Sequence, residues 1–215
     1  MPTKPRTPLT RARIVDTALE IADTAGVEAV TMRRVGQELG FEAMSLYRHV
    51  SGKDDLLNGM LDVVLAEWEP PPDEQPWAEA VRASALSVHA ALRRHPWAAR
   101  LLMTPGHLRP ARLGYMDRLL RTLRRGGFDA GTTYHVYHLL DGHIFGFSLW
   151  EIAYTSAETT DEELVAQFLA SVPWDDYPHL TEHRDQHMTD GPHREASAFE
   201  VGLDLILNGL ETRRA

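Results

Sequence analysis

The stretch Thr31-Met-Arg-Arg-Val-Gly-Gln-Glu-Leu-Gly40, continued by Phe41-Glu-Ala-Met-Ser-Leu-Tyr-Arg-His-Val50, decides the reading of the whole chain. Thr31 has an N-cap side chain, able to accept from a backbone N–H of the next turn. The pattern predicts a short helix from about Met32 to Leu39 that buries Val35 and Leu39. Gly40 ends it, since glycine takes the left-handed conformation of a helix C-terminus without a Cβ penalty. A further helix is expected from about Ala43 to Val50, with Leu46 and Val50 turned inward one helical turn apart. Two short helices joined around a glycine make a helix-turn-helix, whose second helix enters the DNA major groove while the first crosses the backbone. Ala43, Met44, Ser45, Tyr47 and Arg48 are then left facing outward. The hydroxyl, the phenol and the guanidinium suit phosphates and base edges, and Ala43 and Met44 suit thymine methyl groups. Lys53 stands at the start of the next helix, a natural phosphate site.

Upstream, Thr10 is an N-cap candidate for a helix carrying Ile14, Ala18, Ile21 and Ala25 and stopped by Gly26. The residues before it, with three prolines and two cations in the first eight, read as a flexible arm over 1–9. Downstream, Ser51-Gly-Lys-Asp54 is patterned like a capping box for a fourth helix with Leu56, Leu57, Met60, Leu61, Val64 and Leu65 apolar. Helical patterning breaks between Glu69 and Pro76, where Pro70-Pro71-Pro72 stands. That gives a DNA-binding domain over 10–68 and a larger helical domain over 76–215.

In the second domain the periodicity predicts a helix from about Trp77 to Arg94, with Trp77, Val81, Ala85, Val88 and Leu92 on one face, then a short helix after Pro96. Another is expected over Pro110 to Arg125, with Leu113, Met116, Leu119, Leu120 and Leu123 inward. The segment from about Thr132 to Tyr154 is apolar all round, as for a helix buried on more than one side. Thr160-Asp-Glu-Glu163 reads as a capping box for a helix to about Ala170. The segment Pro173 to Ser197 reads as a loop with at most short helical pieces, and a last helix is expected from about Glu195 to Glu211. No period-two pattern stands out, so the fold class is all-α.

The chain has 215 residues, no cysteine and a net charge of −9. Disulfides and thiolate metal sites are thereby excluded, and no apolar run approaches the roughly 18 residues of a membrane helix. The charge is uneven. Through Lys53 there are eight Lys/Arg against six Asp/Glu, a balance of +2, whereas the remainder carries −11. A mildly basic head on an acidic body suits a small DNA-reading module.

Three stretches, Thr31 to Phe41, Met44-Ser-Leu-Tyr-Arg-His-Val50 and Lys53-Asp-Asp-Leu-Leu57, resemble the DNA-binding domain of the tetracycline repressor (TetR) family, over about residues 10 to 65 without a gap. The segments Asp141 to Glu151 and Phe199 to Glu211 resemble the C-terminal region of tetracycline-repressor-like members. The resemblance implies a cytoplasmic homodimer with two DNA heads and a helical ligand-binding body, released from a palindromic operator by a small-molecule effector, with no cofactor and no membrane association. Carried onto this chain, it places Thr31 and Arg33 on backbone or base near the start of the second helix, and Ser45, Tyr47, His49 and Lys53 at DNA-contact positions. Ala43 and Met44 stand where the tetracycline repressor has a Gln-Pro pair, and Arg48 where it has a tryptophan, so the operator differs. Leu101 stands near that protein's metal-chelating histidine, which argues against tetracycline-magnesium as the effector.

Trp97, Leu101, Met103, His107, Met116, His138 and Phe145 are candidates for an effector pocket between helices, weighed against simple core packing. Gly142 and Gly146, with Phe199, Leu203 and Ile206, are candidates for a four-helix interface between two copies, weighed against packing within one chain. His135 and His138 read as core or pocket histidines. His179, His183 and His187 read as solvated loop rather than a metal site. Arg109, Arg112, Arg118, Arg121, Arg124 and Arg125 read as a solvated face rather than a second nucleic-acid patch. No nucleophile-base constellation, phosphate loop or paired catalytic carboxylates stand out, so an enzyme is not expected. The competing class is an architectural DNA-binding protein without an effector, marked by salt-sensitive binding of little sequence preference.

Overall fold

A computed structural model describes residues 8–104, 106–155, 169–189 and 197–212. Among these there are helices and turns but no strand. The arm through residue 7 and the helix start at Thr160 lie outside the described residues.

Helix α1 (Arg11–Ala25) begins at Thr10, whose hydroxyl oxygen accepts from Arg13 N–H, and ends at Gly26. After a 3₁₀ turn (Val27–Ala29), α2 (Met32–Leu39) starts at Thr31, which accepts from Arg34 N–H, and stops at Gly40 in the left-handed region with φ 72°. Helix α3 spans only Ala43–Leu46, shorter than the pattern to Val50 suggested. Beyond Leu46 the chain tightens, with Arg48 and His49 N–H bonded three residues back to Ser45 and Leu46. Leu46 and Val50 are nonetheless buried at 0 % and 1 % exposure, so the inward pair holds the segment on the head's core.

Helix α4 (Lys53–Ala66) departs from the expected capping box. Its N-cap is Gly52, which has no side chain to cap the helix, and the carboxylate that reaches back to the preceding turn is Asp55 rather than Asp54. Asp55 accepts from Ser51 N–H at 2.8 Å and from both Arg11 guanidinium nitrogens at 2.7 and 2.9 Å. The start of α1 is thereby tied to the turn that presents Lys53. The apolar face of α4 (Leu56, Leu57, Met60, Leu61, Val64, Leu65) packs against α1.

The proline-rich segment is laid along α5 (Trp77–Arg94), with Glu69 bonded through its N–H to Ser87 and through its carbonyl to Ser84, and Asp73 held by Arg125. The expected α5 stripe is buried throughout. Helix α6 (Pro96–Leu102) follows at once, and α7 (Pro110–Arg125) comes next. On α7 the inward stripe includes Arg112, Leu119 and Leu123, while Leu113 is 48 % exposed. Leu119 and Leu123 are buried and Met116 and Leu120 pack against the core as the stripe predicts, whereas Leu113 turns outward and Arg112, expected on the solvated face, is buried.

Helix α8 (Ala130–Thr155) is the long apolar helix, starting on Asp129, which accepts from Thr132 N–H. Two expectations fail in the C-terminal part. Pro178–Thr189 forms a twelve-residue helix, α9, where a loop was expected. The last helix, α10 (Ala198–Glu211), starts later than Glu195, at a capping box of Ser197 and Glu200. Its buried face packs against α8 and α5, and one continuous cluster of buried side chains runs from Ile14 in the head to Leu210 in α10.

Candidate nucleic-acid interface and ligand-binding body

The head presents its reading surface through a close approach of backbone to backbone. Gly36 of α2 faces the turn, and Phe41 N–H donates to its carbonyl at 2.8 Å. A Cβ there would stand 2.7 Å from the Phe41 carbonyl oxygen. This contact sets where α3 begins, and from it follow the outward residues. Met44 is 76 % exposed and Tyr47 47 % exposed, Ala43 and Ser45 are half-buried, and Arg48 and His49 are exposed. Thr31 and Arg33 at the start of α2 and Lys53 at the start of α4 are exposed as well. The Thr31 hydroxyl also serves the α2 N-cap, and the His49 carbonyl accepts from Arg11.

Among the described residues, no carboxylate pairs with Arg33, Arg34, Arg48 or Lys53. In the body Arg82, Arg94, Arg109, Arg121 and Arg125 each meet a carboxylate. Unpaired cations around one exposed face are what phosphate binding requires, because each can release counterions from DNA. The Arg11–Asp55 pair of the head is structural. The bonds from Arg11 and from Ser51 N–H hold the Asp55 carboxyl well below the usual carboxylate range.

The head is joined to the body through three elements. His95, between α5 and α6, is 8 % exposed, with Nδ1 2.9 Å from Asp23 of α1 and Nε2 3.0 Å from Glu67 at the end of α4. Trp97 of α6 donates its indole N–H to the same Asp23 at 2.7 Å. Burial opposes ionisation of Glu67, yet Arg94 and His95 together hold its carboxyl below the usual range. Farther along α4, Asp62 is held by Arg109 in two bonds of 2.8 and 2.7 Å, and Asn58 lies 3.1 Å from His107.

The proposed pocket residues do not converge on one cavity. Trp97 and His107 face the head, as just described. His138 is exposed and bonds to the Tyr134 carbonyl of its own helix, and His135 is exposed too, so neither is a core histidine. Met103 is 52 % exposed, Leu101 and Met116 are half-buried, and Phe145 is buried. The interior polar groups are ones the sequence reading passed over. Arg112 donates to the Leu102 carbonyl, Asp141 lies beside it, and Ser84 and Tyr115 hydroxyls are 2.9 Å apart. Burial pushes Tyr115 up to about 12, and Tyr137, buried beside Asp141, also to about 12. The signal for Arg112 was its position seven and eleven residues before Leu119 and Leu123, on their face of the helix.

The interface candidates divide in two. Gly142 and Gly146 lie on an exposed face of α8, and a Cβ on either would meet nothing within 4 Å. Ile206 is half-buried beside them. Phe199 and Leu203, in contrast, are at 0 % exposure within their own chain, so they are core. Phe199 is stacked between His89 at 3.7 Å and His143 at 4.8 Å, which consumes its surface. The open face is carried instead by Leu139 at 49 %, Trp150 at 45 %, Val201 at 48 % and Leu205 at 69 % exposure. Between α8 and α10 it holds a groove of about 600 Å³ lined by Val136, Leu139, Leu205 and Ile206.

Known proteins resemble this chain along most of its length. Residues 14–60 match the family described as bacterial regulatory proteins, tetR family, and residues 69–214 match the tetracyclin repressor-like C-terminal domain. The HTH-type transcriptional repressor DrrR1 of Streptomyces coeruleorubidus is 34 % identical over 217 residues, covering 96 % of this chain and 79 % of that protein. The class C tetracycline repressor protein of Escherichia coli is 29 % identical over 96 % of this chain and 92 % of its own. Among solved structures, ActR of Streptomyces coelicolor in complex with actinorhodin superposes with a TM-score of 0.70 at 31 % identity, covering 97 % of this chain and 100 % of that one.

Proposed function

This chain belongs to the TetR family of bacterial transcription regulators, and on that premise we propose that it is a repressor that binds a palindromic operator as a homodimer and leaves it when a small molecule enters its body. The observation that carries the reading is the outward side of the α3 segment, where Met44, Tyr47, Arg48 and His49 are exposed, with exposed Arg33 and Lys53 at the starts of the helices on either side. A surface of this kind supplies phosphate anchors and base-reading groups together. Two such heads on a two-fold axis read two half-sites about one helical turn apart, roughly 34 Å.

The second copy covers the open face of α8 and α10. Leu139, Trp150, Val201 and Leu205 form an apolar surface that a lone chain would leave in water, and Gly142 and Gly146 let a neighbouring helix come close. Release works through the joint. Helix α6 is bonded to α1 by Trp97 and to α1 and α4 by the adjoining His95, so a shift of α6 in the body moves the head. An effector that binds the displaced arrangement better by a few kcal/mol moves most of the population there.

Selection of duplexes from a random-sequence pool tests this reading. The enriched site is an inverted repeat with half-sites one turn apart. A pool that yields no common sequence would favour the architectural alternative.

A further inference from the structure

Inside the body one guanidinium is incompletely paired. Arg112 is 8 % exposed on the inward stripe of α7. It donates to the carbonyl of Leu102, the last residue of α6, and its Cζ lies 4.9 Å above the Phe145 ring. Its carboxylate neighbour among the described residues, Asp141, stands at 3.7 Å, beyond hydrogen-bond length. Burial also pushes the Asp141 carboxyl above its ordinary value, with Arg112 only partly opposing. A guanidinium has five donors in a rigid fork, and a buried one is costly unless they are met.

A second unmet donor shares Phe145 as its neighbour. Trp68 is 6 % exposed and packs on Tyr115 at 5.1 Å and on Phe145 at 6.2 Å. Its indole N–H is buried with no acceptor among the described residues. A rim completes the arrangement. The α6–α7 connection exposes Met103 at 52 % and Leu108 at 59 %, and the first turn of α7 exposes Leu113 at 48 %, apolar side chains that flank Leu102 and Arg112 in the chain. Asp141, at the far edge, keeps 27 % of its side chain in contact with solvent.

We propose that the effector is an aromatic anion, a carboxylate or acidic phenolate, whose oxygens take the places of the Leu102 carbonyl and Asp141 on Arg112 and accept from the Trp68 indole, with its ring between Tyr115 and Phe145. The proposal rests on the effector-release reading and supplies its chemistry. A cation over an aromatic face and a bidentate fork select a planar anion over a neutral or cationic molecule. Binding also links the ligand to the head. Arg112 holds α6 at its C-terminal residue, and the other end of α6 is bonded to Asp23 through Trp97. A ligand that draws Arg112 away from Leu102 removes the restraint on the helix that joins body to head.

The test uses the full-length protein and matched pairs of probes, benzoate with benzamide, naphthoate with naphthamide, and anthraquinone carboxylate with its carboxamide. Binding is read by quenching of tryptophan fluorescence, and operator release by the anisotropy of a labelled duplex. In at least one pair the acid binds about tenfold or more tightly than the amide, as expected when a hydrogen bond to a charged group is gained. Arg112→Gln abolishes that preference, Arg112→Lys keeps part of it, and Trp68→Phe weakens the acid several-fold. A parent-like circular-dichroism spectrum and a cooperative melt establish that each variant is folded, and Trp68→Phe carries the test if Arg112→Gln does not fold. Equal binding of acid and amide in every pair, a preference that survives Arg112→Gln, or no binding of any probe overturns the proposal. Arg112-dependent binding of an acid without operator release upholds the ligand class and overturns the release reading instead.

Discussion

Replacing Gly36 by alanine separates two effects that usually act together. In a helix interior, alanine is favoured over glycine by about 1 kcal/mol. Here the added Cβ would stand 2.7 Å from the Phe41 carbonyl oxygen, 3.3 Å from Ala43 N and 3.4 Å from Ala43 Cα. All three are backbone atoms, so none can swing aside. Ordinary contact begins at 3.4 Å, and the turn must therefore retreat by about 0.7 Å. Overpacking of this kind costs about 1–3 kcal/mol, and the upper end applies when the obstacle is main chain. After the propensity gain, Gly36→Ala is expected to lose about 1–2 kcal/mol, a fall in melting temperature of about 2–8 °C for a chain of this size. The larger effect falls on recognition. The turn carries α3, and each good base contact is worth about 1–3 kcal/mol. Operator affinity drops by about 10–100-fold, while affinity for unrelated DNA, held by phosphates, changes little. Calorimetry gives the first quantity and anisotropy titrations on operator and random duplexes give the second. A variant that melts higher than the parent and binds operator equally well would refute the argument that this contact positions α3.

Other outcomes follow from the same geometry. Tyr47→Ala weakens operator binding by about tenfold and leaves the melting temperature unchanged, because the ring is 47 % exposed; equal affinity removes Tyr47 from the interface. Asp55→Asn is destabilising at neutral pH, by about 1 kcal/mol for a largely exposed pair. Its folded-state carboxyl is held low, so the stabilisation is present above the unfolded value near 4 and is lost as pH falls below it. Denaturant melts of parent and variant should therefore converge in acid, and a constant gap would contradict the Arg11 assignment. The raised Tyr115, at about 12, works at the other extreme. The unfolded chain releases that proton from about pH 10, so stability falls between pH 10 and 12, and Tyr115→Phe flattens that limb. Trp97→Phe removes the donor to Asp23 at 2.7 Å, costs about 1–2 kcal/mol and reduces effector-induced release; an undiminished response would place the coupling elsewhere. Leu205→Glu sets a charge in the open face and yields monomer by sedimentation, with operator affinity lost in parallel.

The head was legible because its signals are local. Thr10, Thr31, Gly26 and Gly40 mark helix ends through bonds within a few residues, and all four do so in the structure. The third helix was read too long because Val50 completes an apolar i, i+4 pair, yet a tightened turn satisfies that pair as well as a helix does. In the body, periodicity found α5 and most of the inward stripe of α7, but not Arg112. Leucine was assumed to face inward and arginine outward, although Arg112 shares the face of Leu119 and Leu123. A buried cation is rare enough that hydropathy counts against it. Phe199 and Leu203 illustrate a different limit. A periodic apolar stripe says that a face is covered, but whether by the same chain or a second copy depends on which helices lie beside it. That Leu139 and Leu205 lie on one exposed apolar face, the one proposed to meet a second copy, follows only from α8 and α10 standing side by side. The polar segment after Pro173 was read as a loop from composition, although Pro178 opens α9 at a position where proline is well suited to begin a helix.

The central claim is site-specific DNA binding, and duplex DNA from immediately upstream of the protein's own gene tests it most directly. The purified protein is titrated onto that duplex across a salt series with an excess of unrelated DNA present. The account predicts tight binding that survives competition and a short, symmetric protected site. Weak binding, lost equally to any competitor and falling with salt as fast as binding to random DNA, would contradict it.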